Sequence, residues 1–282
     1  MSVVVLCVGA AKAGTSWLHR QLSAHPECHF RALKELHYFN AIEGGTLSRE
    51  LDKHKAWQTE LLERVASSDD GPRPDQARRL ADRGAWLDVL ARGEDVPAYL
   101  DYLNDGAGSA KVVGEMTPAY ALLPVERLSA MARMAPDVRF LYLLRDPVDR
   151  LWSHVRMIAG RRSTVTEKSC GALLDRTIGG AETQIVRRSD YAGALDRLTN
   201  AVPPARLLVE VFEEVVSGEG FARICDFLGV KRVAADTSRV FEGEALAMTA
   251  AQRTLAMNWL APQYAAAEAA LGRRPSAWAQ GG

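Results

Sequence analysis

Short apolar runs alternate with stretches of helical spacing along this chain. Val3-Val4-Val5-Leu6-Cys7-Val8 reads as a strand, and residues 16–24 follow as a helix, with Trp17, Leu18 and Leu22 toward the core and His25-Pro26 closing it. Lys111-Val112-Val113-Gly114 is a second strand, and Arg139-Phe140-Leu141-Tyr142-Leu143-Leu144 is a stronger third. The third run ends at Arg145-Asp146-Pro147, where Asp146 can cap a helix and Pro147 can open it. In that helix Val148, Leu151, Trp152 and Val155 recur at core spacing, which puts Arg150, Ser153 and His154 on its other face. A helix over 191–201, a strand over 206–212 and a helix over 219–228 stopped by Gly229 complete the pattern. Strands alternating with helices predict an α/β fold whose parallel sheet is covered on both faces.

Two stretches break the alternation. Residues 30–40 mix polar and apolar positions around Lys34-Glu35-Leu36-His37-Tyr38-Phe39, and residues 47–104 are rich in charge, with a loop-like Ser67-Ser68-Asp69-Asp70-Gly71-Pro72-Arg73-Pro74 in the middle. The second stretch reads as a helical and loop excursion, about 41–110, covering one side of the site. No internal repeat is visible, and a single domain over 1–282 accommodates the whole. The composition, 48% hydrophobic and 25% charged, allows a sizeable core. Lys+Arg and Asp+Glu number 35 each, so no bulk field draws the chain to nucleic acid or anionic membrane, and anion binding has to be local. Cys7, Cys28, Cys170 and Cys225 are scattered with no C-x-x-C pair and read as reduced thiols. The apolar start is too short for a secretory signal, and no stretch reaches the roughly 18 apolar residues of a membrane span. A cytoplasmic protein without stable membrane insertion is expected.

Candidate chemistry changes the picture most at the first strand-to-helix loop. Gly9-Ala10-Ala11-Lys12-Ala13-Gly14-Thr15-Ser16-Trp17-Leu18 presents backbone N–H groups, two hydroxyls and one ammonium, the components of an anion cradle. The Walker loop of ATP and GTP enzymes puts its lysine directly after the second glycine. Here Lys12 stands two residues before Gly14, which disfavours an ordinary Mg-ATP kinase. The junction at Arg145 repeats the theme with Arg145 and Ser153. Two such junctions, each outside the carboxyl end of a strand, imply a ligand with two separated anionic groups. Taken singly, each feature has a plainer reading: a turn with a surface lysine, a capped strand exit, a solvated Ser153, an exposed Glu35, a core or rim His37, a structural His154. Trp17, Trp152 and Tyr120 read as core or pocket wall, and Arg161-Arg162, Arg187-Arg188 and Arg273-Arg274 as solvated surface, with contact to a ligand anion the alternative for any one pair.

At these residues the chain resembles the sulfotransferases that use 3'-phosphoadenosine 5'-phosphosulfate (PAPS). Ala10-Ala11-Lys12-Ala13-Gly14-Thr15-Ser16-Trp17-Leu18 is similar to their 5'-phosphosulfate loop, and Leu144-Arg145-Asp146-Pro147-Val148-Asp149-Arg150-Leu151-Trp152-Ser153-His154 to their 3'-phosphate motif. Lys34-Glu35-Leu36-His37-Tyr38-Phe39 resembles the Lys-Glu-x-His-Phe-Phe segment of the bacterial and heparan-sulfate branch, and Gly114-Glu115-x-Thr117-Pro118-Ala119-Tyr120 a further segment of it. The likeness continues through Asp190-Tyr191-Ala192 and Arg206-Leu207-Leu208-Val209-Glu210 to about Val230, and more loosely to Trp278.

The resemblance implies a P-loop NTPase-like central parallel sheet flanked by helices. It implies sulfuryl transfer from PAPS to a hydroxyl or amine of a small-molecule, lipid or carbohydrate acceptor, releasing adenosine 3',5'-bisphosphate, with no metal required. By position, Lys12 would neutralise charge on the bridging and leaving oxygens, with Ala13, Gly14, Thr15, Ser16 and Trp17 at the 5' end and Arg145 and Ser153 at the 3'-phosphate. Glu35 matches the base of the heparan-sulfate branch, although a carboxylate of reference pKa ~4.3 is a weak base unless burial raises it. His37, two residues on, competes for the role, and in an extended segment both side chains face one pocket. Two departures stand out. Met116 occupies the place of a lysine in that branch, which weakens the case for a polyanionic glycan acceptor, and no late Lys-Gly-Arg loop is found where acidic Val240-Phe241-Glu242-Gly243-Glu244 lies. The acceptor carries no readable code, and a homodimer is admissible, as for many α/β enzymes. The rival readings are a P-loop nucleotide kinase and a non-catalytic nucleotide-binding protein.

Overall fold

A computed structural model describes residues 2–67, 71–237 and 246–278. Among them, β1 (Val3–Gly9), β2 (Cys28–Phe30), β3 (Val112–Met116), β4 (Val138–Leu144) and β5 (Leu207–Val211) form one parallel sheet in the order β2-β3-β1-β4-β5. β1 lies at the centre and is buried from Val4 to Gly9, which explains its unbroken apolar run. Chain order reverses across β1: β2 and β3 lie on one side of it, β4 and β5 on the other. The β1 and β4 carboxyl ends therefore frame a switch-point crevice, where ligands of open α/β sheets bind.

α1 (Thr15–Ala24) follows β1. The charge-rich stretch holds α2 (Tyr38–Glu43), α3 (Leu47–Ala66), α4 (Pro74–Ala91) and α5 (Val96–Asn104), and α6 (Val125–Ala132) leads into β4. Between β4 and β5 come α7 (Pro147–Arg162), α8 (Glu167–Ile178), α9 (Thr183–Ser189) and α10 (Tyr191–Ala201). α11 (Phe212–Ser217), α12 (Glu219–Leu228) and α13 (Ala250–Leu271) follow β5. α12 ends at Gly229 in the left-handed region, φ 71°, as its sequence predicts. β2 has only three residues at the sheet edge, too few to carry a period, and α13 is alanine-rich with Pro262 inside it and no clean apolar stripe.

The packing corrects one expectation. Arg150 and His154 are not on an open face of α7: they are 1% and 2% exposed. α7 is covered on both sides. Val148, Leu151, Trp152 and Val155 pack with Leu173, Leu174, Ile185 and Leu260 of α8, α9 and α13 into a second, smaller core, while the Arg150 guanidinium donates to Ser189 Oγ and lies 3.4 Å from His154 Nδ1.

Candidate active site

The first junction is shaped by backbone. Ala10 N donates to Leu143 O at 2.9 Å, tying the loop after β1 to the end of β4. Lys12 and Gly14 take left-handed conformations, φ 71° and 82°. A Cβ on Gly14 would lie 2.0 Å from Phe212 Cδ2, so a side chain fits there only if the Phe212 ring or the loop moves. Gly14 caps α1 with no side-chain hydrogen bond. The first N–H groups of α1, at the positive end of its dipole, thus remain for a ligand, beside the Thr15 and Ser16 hydroxyls. Ala13 and Trp17 are buried beneath them.

The second junction is closed by its own carboxylate. Asp146 Oδ1 accepts from Asp149 N at 3.0 Å, and Asp146 Oδ2 accepts from the Tyr264 hydroxyl at 2.8 Å. Arg145 is held at its backbone by Tyr191, whose hydroxyl donates to Arg145 O at 3.0 Å and accepts from Arg145 N at 3.2 Å. Its guanidinium lies 5.5 Å from the Phe212 ring centre, and Nη1 donates to Lys12 O at 3.3 Å. The two junctions are therefore bonded to each other over one phenylalanine. Alongside runs a cavity of about 300 Å³, walled by Val148, Trp152 and Met248, by the cations Arg145, Arg156 and Arg253 and by the carboxylate of Asp149. Arg253 is held by Asp149 at 3.1 Å, and Ser153 is half-buried on the same helix. Burial, then repulsion from Arg145, Arg161 and Arg156, lowers the Lys12 pKa, with Glu35 the opposing charge. Cations crowded around Lys12 favour an anion among them.

The loop between β2 and α2 supplies the acidic group. Glu35 Oε1 accepts from Lys34 Nζ at 2.8 Å, Glu35 Oε2 lies 3.6 Å from His37 Nε2, and His37 Nδ1 is 3.3 Å from Asn40 Oδ1. Asn40 Nδ2 donates to Ala119 O, which fixes the amide so that its oxygen faces the imidazole. Both ring nitrogens thus face oxygens, and the Glu35 carboxylate raises the His37 pKa against the effect of burial. For Glu35 burial is also opposed: His37 and Lys34 outweigh it and hold the carboxyl down at about 2. Burial therefore does not raise this carboxyl.

Nor is the segment extended. Glu35 and His37 have φ 62° and 54°, and buried Leu36 between them donates its N–H to Glu115 Oε2 at 3.2 Å. Glu115 also accepts from the hydroxyls of Tyr99, Tyr120 and Thr117, at 2.8, 2.7 and 2.6 Å. This buried knot pins the turn and leaves Glu35 and His37 together on the open side. Met116 is fully buried at the end of β3 and contributes no charge to the site.

Sequence reasoning missed several residues in this region. Lys34 reaches both Glu35 and, at 3.3 Å, Thr15 Oγ1; its adjacency to Glu35 was the available signal. Arg188, read as solvated, is half-buried and close enough to Glu35 and Arg161 for both to act on its charge. Arg156 and Arg253 had no local signal. The other arginines of the three pairs mostly serve the surface: Arg162 pairs with Glu182, Arg273 with Glu214 and Arg274 with Glu268. Trp17 and Tyr120 are core residues and Trp152 is a cavity wall. Burial, and then Arg150, hold His154 neutral, with a pKa of about 2. The acidic segment Val240-Phe241-Glu242-Gly243-Glu244 lies outside the described residues. Among the described residues no group of three or more His, Cys, Asp or Glu is placed to hold a metal ion, and no helix is long and apolar enough to cross a membrane.

Known proteins similar to this chain include sulfotransferases. A model described as the sulfotransferase family matches residues 5–234. Human heparan sulfate glucosamine 3-O-sulfotransferases 3B1 and 3A1 are each 26% identical over 237 residues, covering 82% of this chain and 47% and 45% of theirs. The chain thus spans about half the length of these curated relatives. Of solved structures, a sulfotransferase from Alicyclobacillus acidocaldarius superposes with TM-score 0.66 at 25% identity over 99% of this chain and 100% of its own. The sulfotransferase domain of the Synechococcus PCC 7002 olefin synthase shares the fold, with TM-score 0.51 at 16% identity over 93% and 94%.

Proposed function

Because the chain belongs to the sulfotransferase family, we propose that it transfers the sulfuryl group of PAPS to a hydroxyl or amine of an acceptor and releases adenosine 3',5'-bisphosphate. The observation that carries this reading is the bonded pair of junctions, with Arg145 Nη1 on Lys12 O. It sets the two junctions side by side at the switch point of the sheet, which supports a ligand such as PAPS that bears an anion on each side of its ribose. The open α1 N-terminus, Thr15, Ser16 and Lys12 suit the phosphosulfate. Arg145 and Ser153, with Arg156 and Arg253 around the cavity, suit the 3'-phosphate, and the Trp152 and Met248 walls suit a flat base.

In the transfer, a bond forms from the acceptor oxygen or nitrogen to sulfur while the bond from sulfur to the bridging oxygen breaks. The electron pair of that bond stays on the departing bisphosphate, and the acceptor proton goes to Glu35. Lys12 and the α1 N–H groups meet the growing charge on the bridging oxygen without having to move. His37, oriented by Asn40, keeps the carboxylate in place.

Glu35→Gln tests the role of the base. Transfer from labelled PAPS to acceptors in a cell extract is expected to fall by about 10²–10⁴-fold, with adenosine 3',5'-bisphosphate affinity retained. Full transfer by Glu35→Gln would remove Glu35 from the chemistry. A thermal shift with Mg-ATP that exceeds the shift with the bisphosphate would favour a nucleotide kinase instead, and bisphosphate binding with no transfer to any acceptor would favour a non-catalytic nucleotide-binding protein.

A further inference from the structure

Thr15 follows the second glycine of the loop and opens α1. In Walker-type cradles the hydroxyl at the start of this helix binds a magnesium ion that bridges ligand phosphate oxygens. Here the Thr15 hydroxyl, in a residue only 5% exposed, accepts from an ammonium instead: Lys34 Nζ, at 3.3 Å. Lys34 comes from the far side of the crevice, in the loop after β2, and its side chain is 19% exposed. The same ammonium lies 2.8 Å from Glu35 Oε1. One cation therefore spans the donor loop and the carboxylate that faces the acceptor. An ammonium has three protons, so Thr15 and Glu35 leave one for a ligand oxygen.

We propose that Lys34 is a donor-binding residue, whose ammonium takes up a sulfuryl oxygen of the phosphosulfate at the place where a Walker cradle holds its divalent cation, and in doing so lets go of Glu35. This deepens the PAPS reading and rests on it. The exchange is favourable because the donor brings more negative charge to the loop than the single carboxylate supplies, while Glu35 keeps His37 as its partner. It also answers how a carboxylate held by both Lys34 and His37 becomes a base: it does so once the donor has drawn the ammonium off. Lys34 keeps its proton throughout, and the acceptor proton still goes to Glu35.

The two nucleotides separate this role from a structural one, because adenosine 3',5'-bisphosphate has no sulfuryl group. Titration calorimetry on the full chain would compare the wild type with Lys34→Met and Lys34→Arg, using PAPS and the bisphosphate. Lys34→Met is expected to lose about 10-fold or more in PAPS affinity and to bind the bisphosphate within about threefold of wild type, with Lys34→Arg between. The retained bisphosphate affinity doubles as the check on folding. Equal losses for both nucleotides, or none for either, would overturn the Lys34 assignment and leave the donor reading standing. A wild-type chain that binds neither nucleotide would overturn both.

Discussion

The two strand-to-helix junctions at the carboxyl edge of the sheet occupy equivalent places and are finished in opposite ways. After β1 the chain turns through left-handed Lys12 and Gly14 and starts α1 with no side-chain cap. After β4, Asp146 fills the corresponding place and already satisfies Asp149 N. A helix end that holds its own carboxylate repels a second anion there. An anion at the second junction has to be held by side chains, with Arg145 nearest and Arg156 and Arg253 around the cavity. On the proposed reading, one anion place is built largely of backbone, with Lys12, Thr15 and Ser16 beside it, and the other of guanidinium groups.

That contrast predicts unequal damage. Gly14→Ala should be the most severe change, because its Cβ would meet the Phe212 ring and the positive φ would be strained. With several N–H contacts displaced together, bisphosphate affinity should fall on the order of 100-fold or more. Calorimetry showing affinity within tenfold of wild type would mean that the loop backbone is not the binding surface. Asp146→Ala should do far less to the ligand. It removes a cap and the acceptor of Tyr264, for a stability loss of about 0.5–2 kcal/mol in urea unfolding, and bisphosphate affinity should hold or improve as a nearby negative charge goes. A marked loss of affinity would show that Asp146 serves the ligand and not only the helix.

The same contrast explains what could be read from the sequence. The backbone-made place was legible because Gly14, Thr15 and Ser16 are consecutive and their spacing alone specifies the turn. The guanidinium-made place was legible only at Arg145: Arg156 lies three turns along α7, and Arg253 arrives on α13 through packing that an alanine-rich helix does not announce. Glu35 and His37 were legible as residues but not as geometry. A left-handed conformation has no local signature at Glu35 and only a weak one at His37; the turn is pinned by buried Leu36 and by Glu115 of β3. Arg150 and His154 were misplaced because a helix that packs on two sides looks, in one dimension, like a helix with one solvated face.

On the proposed function, the two junctions hold two different anions of one nucleotide. Titration of the wild type, Lys12→Ala and Arg145→Ala with adenosine 3',5'-bisphosphate and with adenosine 5'-monophosphate tests it directly. Lys12→Ala should weaken both nucleotides, whereas Arg145→Ala should weaken the bisphosphate by about 10-fold or more and leave the monophosphate within about threefold. Equal losses for the two nucleotides in Arg145→Ala, or unchanged bisphosphate affinity in both variants, would contradict it.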